Sequence, residues 1–196
     1  MNTISDEENL INLIDEDVSE AIEHGIQVSN MAYLLARELG VGEEECEELA
    51  KAGVLHDIGK LRLAHYLYKD NQSAVSQMRY VRTHSKLSYD ILKDRGYSDF
   101  ILKSILHHHE NYDGSGYPDN LSGEEIPYGA RILRVCDVFV ALMSDRPYRK
   151  AFDMETALSL MIDEVKNFDM EIFLAFQRVI HSIDIEKDIK KQEMIV

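Results

Sequence analysis

The segment that decides the fold runs from residue 131 to residue 143 and reads RILRVCDVFVALM. Its apolar residues occupy nearly every side of the helix that the segment predicts, and a helix that is apolar all round is buried. Asp137 lies in the middle of it. An ionised carboxylate there is costly unless it is paired or metal-bound. For this residue alone, we favour hydrogen bonds to backbone amides or a pairing with Arg131 or Arg134.

Helical periodicity extends outward from this segment. Apolar residues three or four positions apart predict helices over residues 18–39, 43–56, 72–95, 97–109, 154–165 and 170–183. Gly40 and Gly96 would cap two of these helices at their C-termini. A cluster of glycines and prolines between residues 113 and 129 predicts a loop. We find no alternating strand pattern and no internal repeat, so we expect an all-α protein.

Composition excludes several classes of protein. The chain has 36 acidic and 21 basic residues, a net charge of −15, which argues against a nucleic-acid polymer or an anionic membrane as partner. Apolar runs fall short of the roughly 18 residues of a membrane helix. The N-terminus, MNTISDEENL, lacks the features of a signal peptide. Cys46 and Cys136 form neither a disulfide framework nor a metal motif, so we expect a cytoplasmic protein.

The length sets the domain organisation. At about 150 residues per domain, 196 residues predict one compact domain with at most a small appendage. We expect an N-terminal extension or helix over residues 1–16, a domain over residues 17–184 and a C-terminal tail over residues 185–196.

Two histidine-containing pairs occur where predicted helices end. His56 is followed by Asp57, and His108 is followed by His109 just before the loop. Adjacent side chains diverge by about 100° on a helix, so either pair can supply ligands to two metals only near a helix end or kink, or where one ligand bridges the metals. The predicted helix ends meet that condition.

Other candidate ligands are weaker when taken singly. Glu20 and His24 are four residues apart and share a helix face, as a surface pair would, and His84 lies inside a predicted helix. Each is better explained alone as a core or surface side chain. Together, imidazoles and carboxylates are typical ligands of iron, manganese or zinc.

The chain resembles the HD-GYP family, the branch of the HD phosphohydrolase superfamily that hydrolyses cyclic di-GMP. The resemblance rests on HDIGK (56–60), HHENYDGSGYP (108–118), LSGEEIP (121–127), ARILRVCDVFVAL (130–142) and DRPYRKA (145–151). It extends from about residue 17 to Phe168-Asp169 and the helix that follows. It implies a compact multi-helix HD-domain bundle with a central buried metal site.

The resemblance implies the metal ligands. Two or three divalent ions, most in keeping with iron or manganese, would be held by His24, His56, Asp57, His84, His108, His109 and Asp137. Asp57 would bridge two ions. Glu20 occupies the position that helps to hold a third ion in some members.

The resemblance also implies residues for substrate. Lys60 would lie close to the scissile phosphate and act with Asp57 in catalysis. Arg146 and Arg149 would hold ligand phosphates, and Tyr117 would belong to the substrate-binding loop. Gly114 and Gly116 would let the backbone of that loop take a positive φ and approach the ligand or the metal cluster closely. Glu110 and Asp113 would either orient the ligand histidines or anchor the loop. His65, His107 and His181 match no ligand position.

The implied function is a metal-dependent phosphodiesterase that hydrolyses cyclic di-GMP to pGpG, GMP or both, through a hydroxide that bridges two metals. The charge of the ions would let an acidic protein bind a small dianion. The alternatives are a non-catalytic cyclic-dinucleotide sensor or interaction module, and an HD phosphohydrolase acting on another nucleotide. Family members are usually joined to sensory or receiver domains, so this chain either acts alone, docks to a signalling partner through its N- or C-terminal helix, or is an excised domain. A homodimer is a further option that the sequence leaves open.

The sequence departs from the family pattern between residues 61 and 71, which lack the usual proline. Ser85 and Ser88 also stand where a proline and a glycine are frequent. These departures affect the expected substrate preference and turnover more than metal binding.

Overall fold

The computed structural model describes the backbone of residues 3–67, 81–146 and 149–182, and the side chains of these residues except 3–17 and 63–67. Within these ranges the chain is helical and has no β-strand. The α-helices are α1 (Thr3–Glu38), α2 (Glu43–Leu55), α3 (Ile58–Leu67), α4 (His84–Leu92), α5 (Asp99–His107), α6 (Tyr128–Met143), α7 (Met154–Asp163) and α8 (Met170–Ser182). The all-α prediction is confirmed.

Helix α6 is the centre of the bundle, as its composition predicts. Ile132, Leu133, Val135 and Cys136 are fully buried in the core. The helix packs against α1, α5, α7 and α8. Burial of such side chains contributes about 1.5–3 kcal/mol each, relative to exposure, for a residue the size of leucine. This apolar environment surrounds the carboxylate of Asp137.

Helices α1 and α2 cross at very short range because glycines lie at the contact. A Cβ atom on Gly53 would lie 2.6 Å from Cα of Ser29, and one on Gly25 would lie 2.8 Å from the carbonyl oxygen of Val54. Larger residues would force the two backbones apart. The close crossing brings His24 of α1 beside His56 at the end of α2.

The prediction of one continuous helix over residues 72–95 is wrong in its described part. Residues 82–83 form a turn, α4 begins at His84, and it ends at Leu92 rather than at residue 95. Val81 and Thr83 are β-branched, which weakens helix preference at the turn. The turn also places the carbonyl oxygen of Val81 against the ring of His84. Residues 72–80 of the prediction lie outside the described residues.

The two predicted glycine caps are confirmed. Gly40 and Gly96 adopt φ of 73° and 82°, as C-terminal caps of helices require. Helix α1 runs without a break through residues 16 and 17, and the tail lies outside the described residues, so the division of the chain stays a prediction. In the described part of the chain, no helix has the length and apolar character needed to cross a membrane.

Candidate metal centre

Helix ends supply most of the candidate ligands. Helix α2 ends at Leu55 and α3 begins at Ile58, so His56 and Asp57 form the junction between them. The predicted break in the helix therefore lies where the two side chains need it. The seven predicted ligands converge in one place and are all buried except His109, which is partly buried; they are His24, His56, Asp57, His84, His108, His109 and Asp137.

Three overlapping groups of these side chains could each hold a metal ion. In each group the ligand atoms lie within 4.8 Å of one another. The groups are His24, His56 and Asp57; Asp57, His84, His108 and His109; and His56, His108 and Asp137. Asp57 is shared between the first two groups, which is the arrangement expected of a bridging carboxylate.

The two oxygen atoms of Asp57 face different histidines. Oδ1 lies 3.1 Å from Nε2 of His84 and 3.9 Å from Nε2 of His108. Oδ2 lies 3.3 Å from Nε2 of His56 and 3.9 Å from Nε2 of His24. The carboxylate therefore stands between two sets of imidazoles, with one oxygen available to each.

Asp137 also faces histidines rather than arginines. Its Oδ1 lies 3.0 Å from Nε2 of His24 and 3.6 Å from Nε2 of His56. Arg131 pairs instead with Asp169 at 2.6 Å, and Nε of Arg134 donates to Oδ1 of Asn111 at 3.0 Å. The simple pairing with an arginine, which we favoured for Asp137 taken alone, is wrong.

A repeated hydrogen bond orients three of the histidine rings. Nδ1 of His56, His84 and His108 donates to the carbonyl oxygen three residues earlier, at 2.7, 2.5 and 2.6 Å. A carbonyl can only accept, so the proton is held on Nδ1. Such bonds fix the tautomer of a metal-ligating histidine and turn Nε2 toward the metal.

The Nε2 atoms that result crowd together in a way that a cation would relieve. Nε2 of His84 lies 3.3 Å from Nε2 of His108 and 3.0 Å from Nε2 of His109. Nε2 of His56 and Oδ1 of Asp57 are buried and have no hydrogen-bond partner among the described residues. Buried polar atoms without partners are costly, and imidazole nitrogens and carboxylate oxygens that face one place suit a divalent transition metal once any proton on the nitrogens has been released.

The pKa values also show that positive charge is favoured beside Asp57 and Asp137. Burial lowers the pKa of His56, but the carboxylates of Asp57 and Asp137 outweigh it and raise the value to about 10. The pKa values of the Asp57 and Asp137 carboxyls stay well below their usual range in spite of burial, because His56 lies close to both. Burial and neighbouring imidazole charge lower the pKa of His109 to about 3, so that ring is neutral and can bind a metal.

Glu20 and Lys60 lie at the edge of the centre. Glu20 is exposed and belongs to none of the three groups, so its role as a ligand stays a prediction. Nζ of Lys60 lies 2.5 Å from Oδ2 of Asp57, and 42% of its side chain is exposed. Lys60 therefore places a positive charge between the candidate metal ligands and solvent.

The loop after His109 folds back onto that residue. A Cβ on Gly116 would lie 2.2 Å from the amide nitrogen of Asn111, so only glycine fits there. Gly114 instead meets the expectation of a positive φ, at 84°. The amide of Tyr117 donates to the carbonyl of His109 at 3.1 Å, and the two rings stack with centroids 4.8 Å apart. The Tyr117–Pro118 peptide bond is cis.

Glu110 and Asp113 hold this loop by backbone hydrogen bonds. Oε1 of the buried Glu110 accepts from the amide of Asp119 at 2.7 Å, and Oδ1 of Asp113 accepts from the amide of Ser115 at 3.0 Å. The predicted alternative that they anchor the loop agrees with these contacts. His107 and His181 stand outside the three groups, and the side chain of His65 lies outside the described residues.

The two arginines of the DRPYRKA segment lie after the C-terminus of α6. Their backbones form an antiparallel bridge between Arg146 and Arg149. Nη2 of Arg149 donates to Ala141 O at 2.7 Å, and Nη1 donates to Leu142 O at 3.1 Å and Lys150 O at 2.9 Å. Arg149 thus caps the helix that carries Asp137, and its contact with substrate phosphate stays a prediction.

Ser88 is a supporting residue that sequence reasoning missed. Its hydroxyl donates to the carbonyl oxygen of His56 at 2.7 Å and accepts from the amide of Gly59 at 2.9 Å. Ser88 therefore ties α4, which begins with His84, to the junction that carries His56 and Asp57. The available signal in the sequence was that a serine stands at position 88, where the family frequently has a glycine.

The part of the chain that contains the seven candidate ligands is similar to known proteins. A family model described as HD domain matches residues 8–172. The cyclic di-GMP phosphodiesterase response regulator RpfG of Xanthomonas campestris is 41% identical over 139 residues, 69% of this chain and 36% of that protein. The cyclic di-GMP phosphodiesterase PA4108 of Pseudomonas aeruginosa is 36% identical over 159 residues, 80% of this chain and 38% of that protein.

A relative with a different named substrate is also similar. The 3'3'-cGAMP-specific phosphodiesterase 3 of Vibrio cholerae is 32% identical over 160 residues, 81% of this chain and 35% of that protein. The chain thus spans a little over a third of the length of each of these three curated relatives.

Solved structures share the fold. The crystal structure of a cyclic GMP-AMP specific phosphodiesterase of V. cholerae, V-cGAP3, matches with a TM-score of 0.67 at 17% identity, over 86% of this chain and 46% of that chain. Bd1817, an HDG"Y"P protein of Bdellovibrio bacteriovorus, matches with a TM-score of 0.66 at 19% identity, over 83% of this chain and 53% of that chain.

Proposed function

The chain belongs to the HD domain family, and from that premise we propose that it is a metal-dependent phosphodiesterase that hydrolyses cyclic di-GMP to pGpG, GMP or both. The observation that carries the proposal is the position of Asp57, whose two oxygens face two sets of histidines. Its HD-GYP motifs and its similarity to curated cyclic-dinucleotide phosphodiesterases support the substrate class.

The described side chains favour a dinuclear centre. One ion would be held by His24, His56 and Asp57, and the other by Asp57, His84, His108 and His109. Asp137 lies beside the first group through its contacts with His24 and His56. A third ion would require the exposed side chain of Glu20 to turn toward His24. Ligation by nitrogen and oxygen alone suits iron or manganese.

When bound, such ions lower the pKa of a water molecule to give a nucleophile and offset the charge of the phosphodiester. The side chains around the ions would exclude water and position the substrate. Burial of the ligands excludes bulk water, and Lys60 brings a positive charge that can move from Asp57 to a phosphate oxygen. Burial raises the pKa of Tyr117, so its hydroxyl stays protonated and can donate a hydrogen bond to substrate.

Hydrolysis distinguishes the proposal from its alternatives. Protein loaded anaerobically with iron or manganese is incubated with cyclic di-GMP, 3'3'-cGAMP, cyclic di-AMP and a set of mononucleotides, and the products are separated by chromatography. We expect cleavage of cyclic di-GMP, with Asp57→Ala as the inactive control. Tight binding without cleavage in wild type and control alike would favour the sensor, and cleavage of mononucleotides alone would favour a general phosphohydrolase.

The organisation of the whole protein is also a proposal. The curated relatives are more than twice as long as the matched part of this chain. We propose that the domain works as a homodimer or beside a signalling partner domain, in the cytoplasm. Measurement of the molar mass in solution, with and without cyclic di-GMP, tests the first of these arrangements.

A further inference from the structure

The side chain of Arg134 lies between the metal ligands and the loop, and none of the roles above uses it. It is one helical turn before Asp137 on α6, so the two side chains share a face of the helix. Its Nε atom donates to Oδ1 of Asn111 at 3.0 Å. Asn111 directly follows His109 and Glu110, so this bond ties the guanidinium to the start of the loop that carries Tyr117.

The terminal nitrogens of Arg134 are available, unlike those of comparable arginines. In the described part of the chain, neither Nη atom of Arg134 makes a hydrogen bond or an ion pair, and Nε makes the single bond to Asn111. Arg131, one turn earlier, pairs with Asp169 at 2.6 Å, and Arg149 donates to backbone carbonyls. Arg134 therefore keeps two NH₂ groups for a partner that comes from outside the chain.

The surroundings of Arg134 are those of the candidate site. Burial lowers the pKa of Arg134, and the nearby Asp137 carboxylate and Tyr117 oxygen oppose that shift. In turn, the charge of Arg134 helps to lower the pKa of His109. The guanidinium is thus close to a candidate metal ligand and to the tyrosine of the loop at once.

A cyclic dinucleotide carries two phosphodiesters, and the metal centre with Lys60 can serve only the scissile one at a time. The other phosphate needs a cation nearby, and a guanidinium with two free NH₂ groups matches a phosphate by parallel hydrogen bonds. We infer that Arg134 binds an oxygen of the phosphate that is not being cleaved, and so holds the cyclic dinucleotide in place over the metal centre. The inference rests on the proposed function, since it deepens the account of the same site.

Kinetics of matched variants test this inference. We compare wild type, Arg134→Gln, Arg134→Lys and the control Arg178→Gln, which removes an exposed guanidinium paired with Glu38. Loss of charge-assisted hydrogen bonds predicts a KM for cyclic di-GMP raised about ten- to a hundredfold in Arg134→Gln, with a smaller rise in Arg134→Lys. Metal content and thermal unfolding should match wild type, and Arg178→Gln should behave as wild type.

A further variant separates substrate binding from a role in holding the loop. Asn111→Ala removes the anchor of Arg134 but leaves the guanidinium, so we expect a smaller rise in KM than in Arg134→Gln. An equal rise in both variants, or an unchanged KM in a metal-loaded Arg134→Gln, would overturn the inference.

Measurements of nucleotide binding distinguish a failure of this inference from a failure of the proposed function. The affinity of each variant for a hydrolysis-resistant phosphorothioate analogue of cyclic di-GMP is measured by equilibrium dialysis. Binding by wild type without any hydrolysis of the parent nucleotide would overturn the proposed function, whereas weaker binding by Arg134→Gln would still support this inference. Absence of binding by wild type would overturn both.

Discussion

The candidate metal ligands and the basic side chains around them are held in different ways. The rings of His56, His84 and His108 are each fixed by a hydrogen bond to a backbone carbonyl three residues earlier. Lys60 and Arg134, in contrast, are each held by one side-chain contact, to Asp57 and Asn111 respectively. The centre is thus held by contacts to the backbone and its rim by single contacts to side chains.

This difference follows from what each region must do. Metal ligands must converge to within a few tenths of an ångström, so fixing their orientation in advance favours binding. Groups that bind a phosphate must change partners when substrate arrives. Lys60 can do so because its present partner, Asp57, would then be engaged by metal. If this difference governs function, substitutions at the centre should lose metal, and substitutions at the rim should lose turnover without losing metal.

Asp57→Ala should have the largest effect. The substitution removes the carboxylate shared between two groups of ligands, so we expect loss of at least one metal ion and a fall in turnover of about a thousandfold or more. Elemental analysis and product chromatography on the same sample measure the two quantities. Full metal content in the variant would contradict the bridging role of Asp57.

Lys60→Ala should lower turnover by about a hundred- to a thousandfold while metal content stays near that of wild type, because Lys60 lies at the rim and is not a ligand. Lys60→Arg, which keeps the positive charge, serves as the matched variant and should recover part of the rate. If metal and turnover fell in equal proportion, Lys60 would belong to the centre rather than to the rim.

Metal binding should depend on pH through His56. In the metal-free protein its pKa is raised to about 10, so its Nε2 must release a proton before it can bind a metal. The apparent affinity for manganese should therefore rise about tenfold per pH unit between pH 7 and pH 9 and level off near pH 10. His109, with a pKa of about 3, is already neutral and contributes no such dependence.

Competition titrations with a chelator at pH 7, 8 and 9 give the affinities, and a pH-stat counts the protons released on metal addition. We expect about one proton per protein. An affinity that does not change with pH would show that the ring of His56 is neutral before the metal arrives.

Arg149→Ala should have the smallest effect on chemistry. The guanidinium donates to carbonyls at the C-terminus of α6, so its loss should lower the free energy of unfolding by about 1–3 kcal/mol. Urea denaturation measures that change, and kinetics on the folded variant should give a KM within a few-fold of wild type. A large rise in KM with unchanged stability would instead support the phosphate contact implied by the family resemblance.

The sequence by itself determined the features that depend on neighbours along the chain. The apolar segment around Asp137 predicted a central helix, and the divergence of adjacent side chains predicted helix breaks at His56-Asp57 and His108-His109. Both breaks occur, because the helices on either side end where the sequence indicates. The segment HHENYDGSGYP, combined with the helix around Asp137 and the DRPYRKA segment, identified the family, and the resemblance named seven side chains that the fold brings together.

Only the tertiary structure decided the contacts between residues distant in sequence. It gave Asp137 two histidine partners, joined Ser88 to the junction at His56, and occupied Arg149 with carbonyls. Among the described residues, it left the Nη donors of Arg134 without a partner. The physical reason is that a polar side chain within a packed bundle takes whichever partner lies within about 3 Å, and chain spacing alone does not fix that distance.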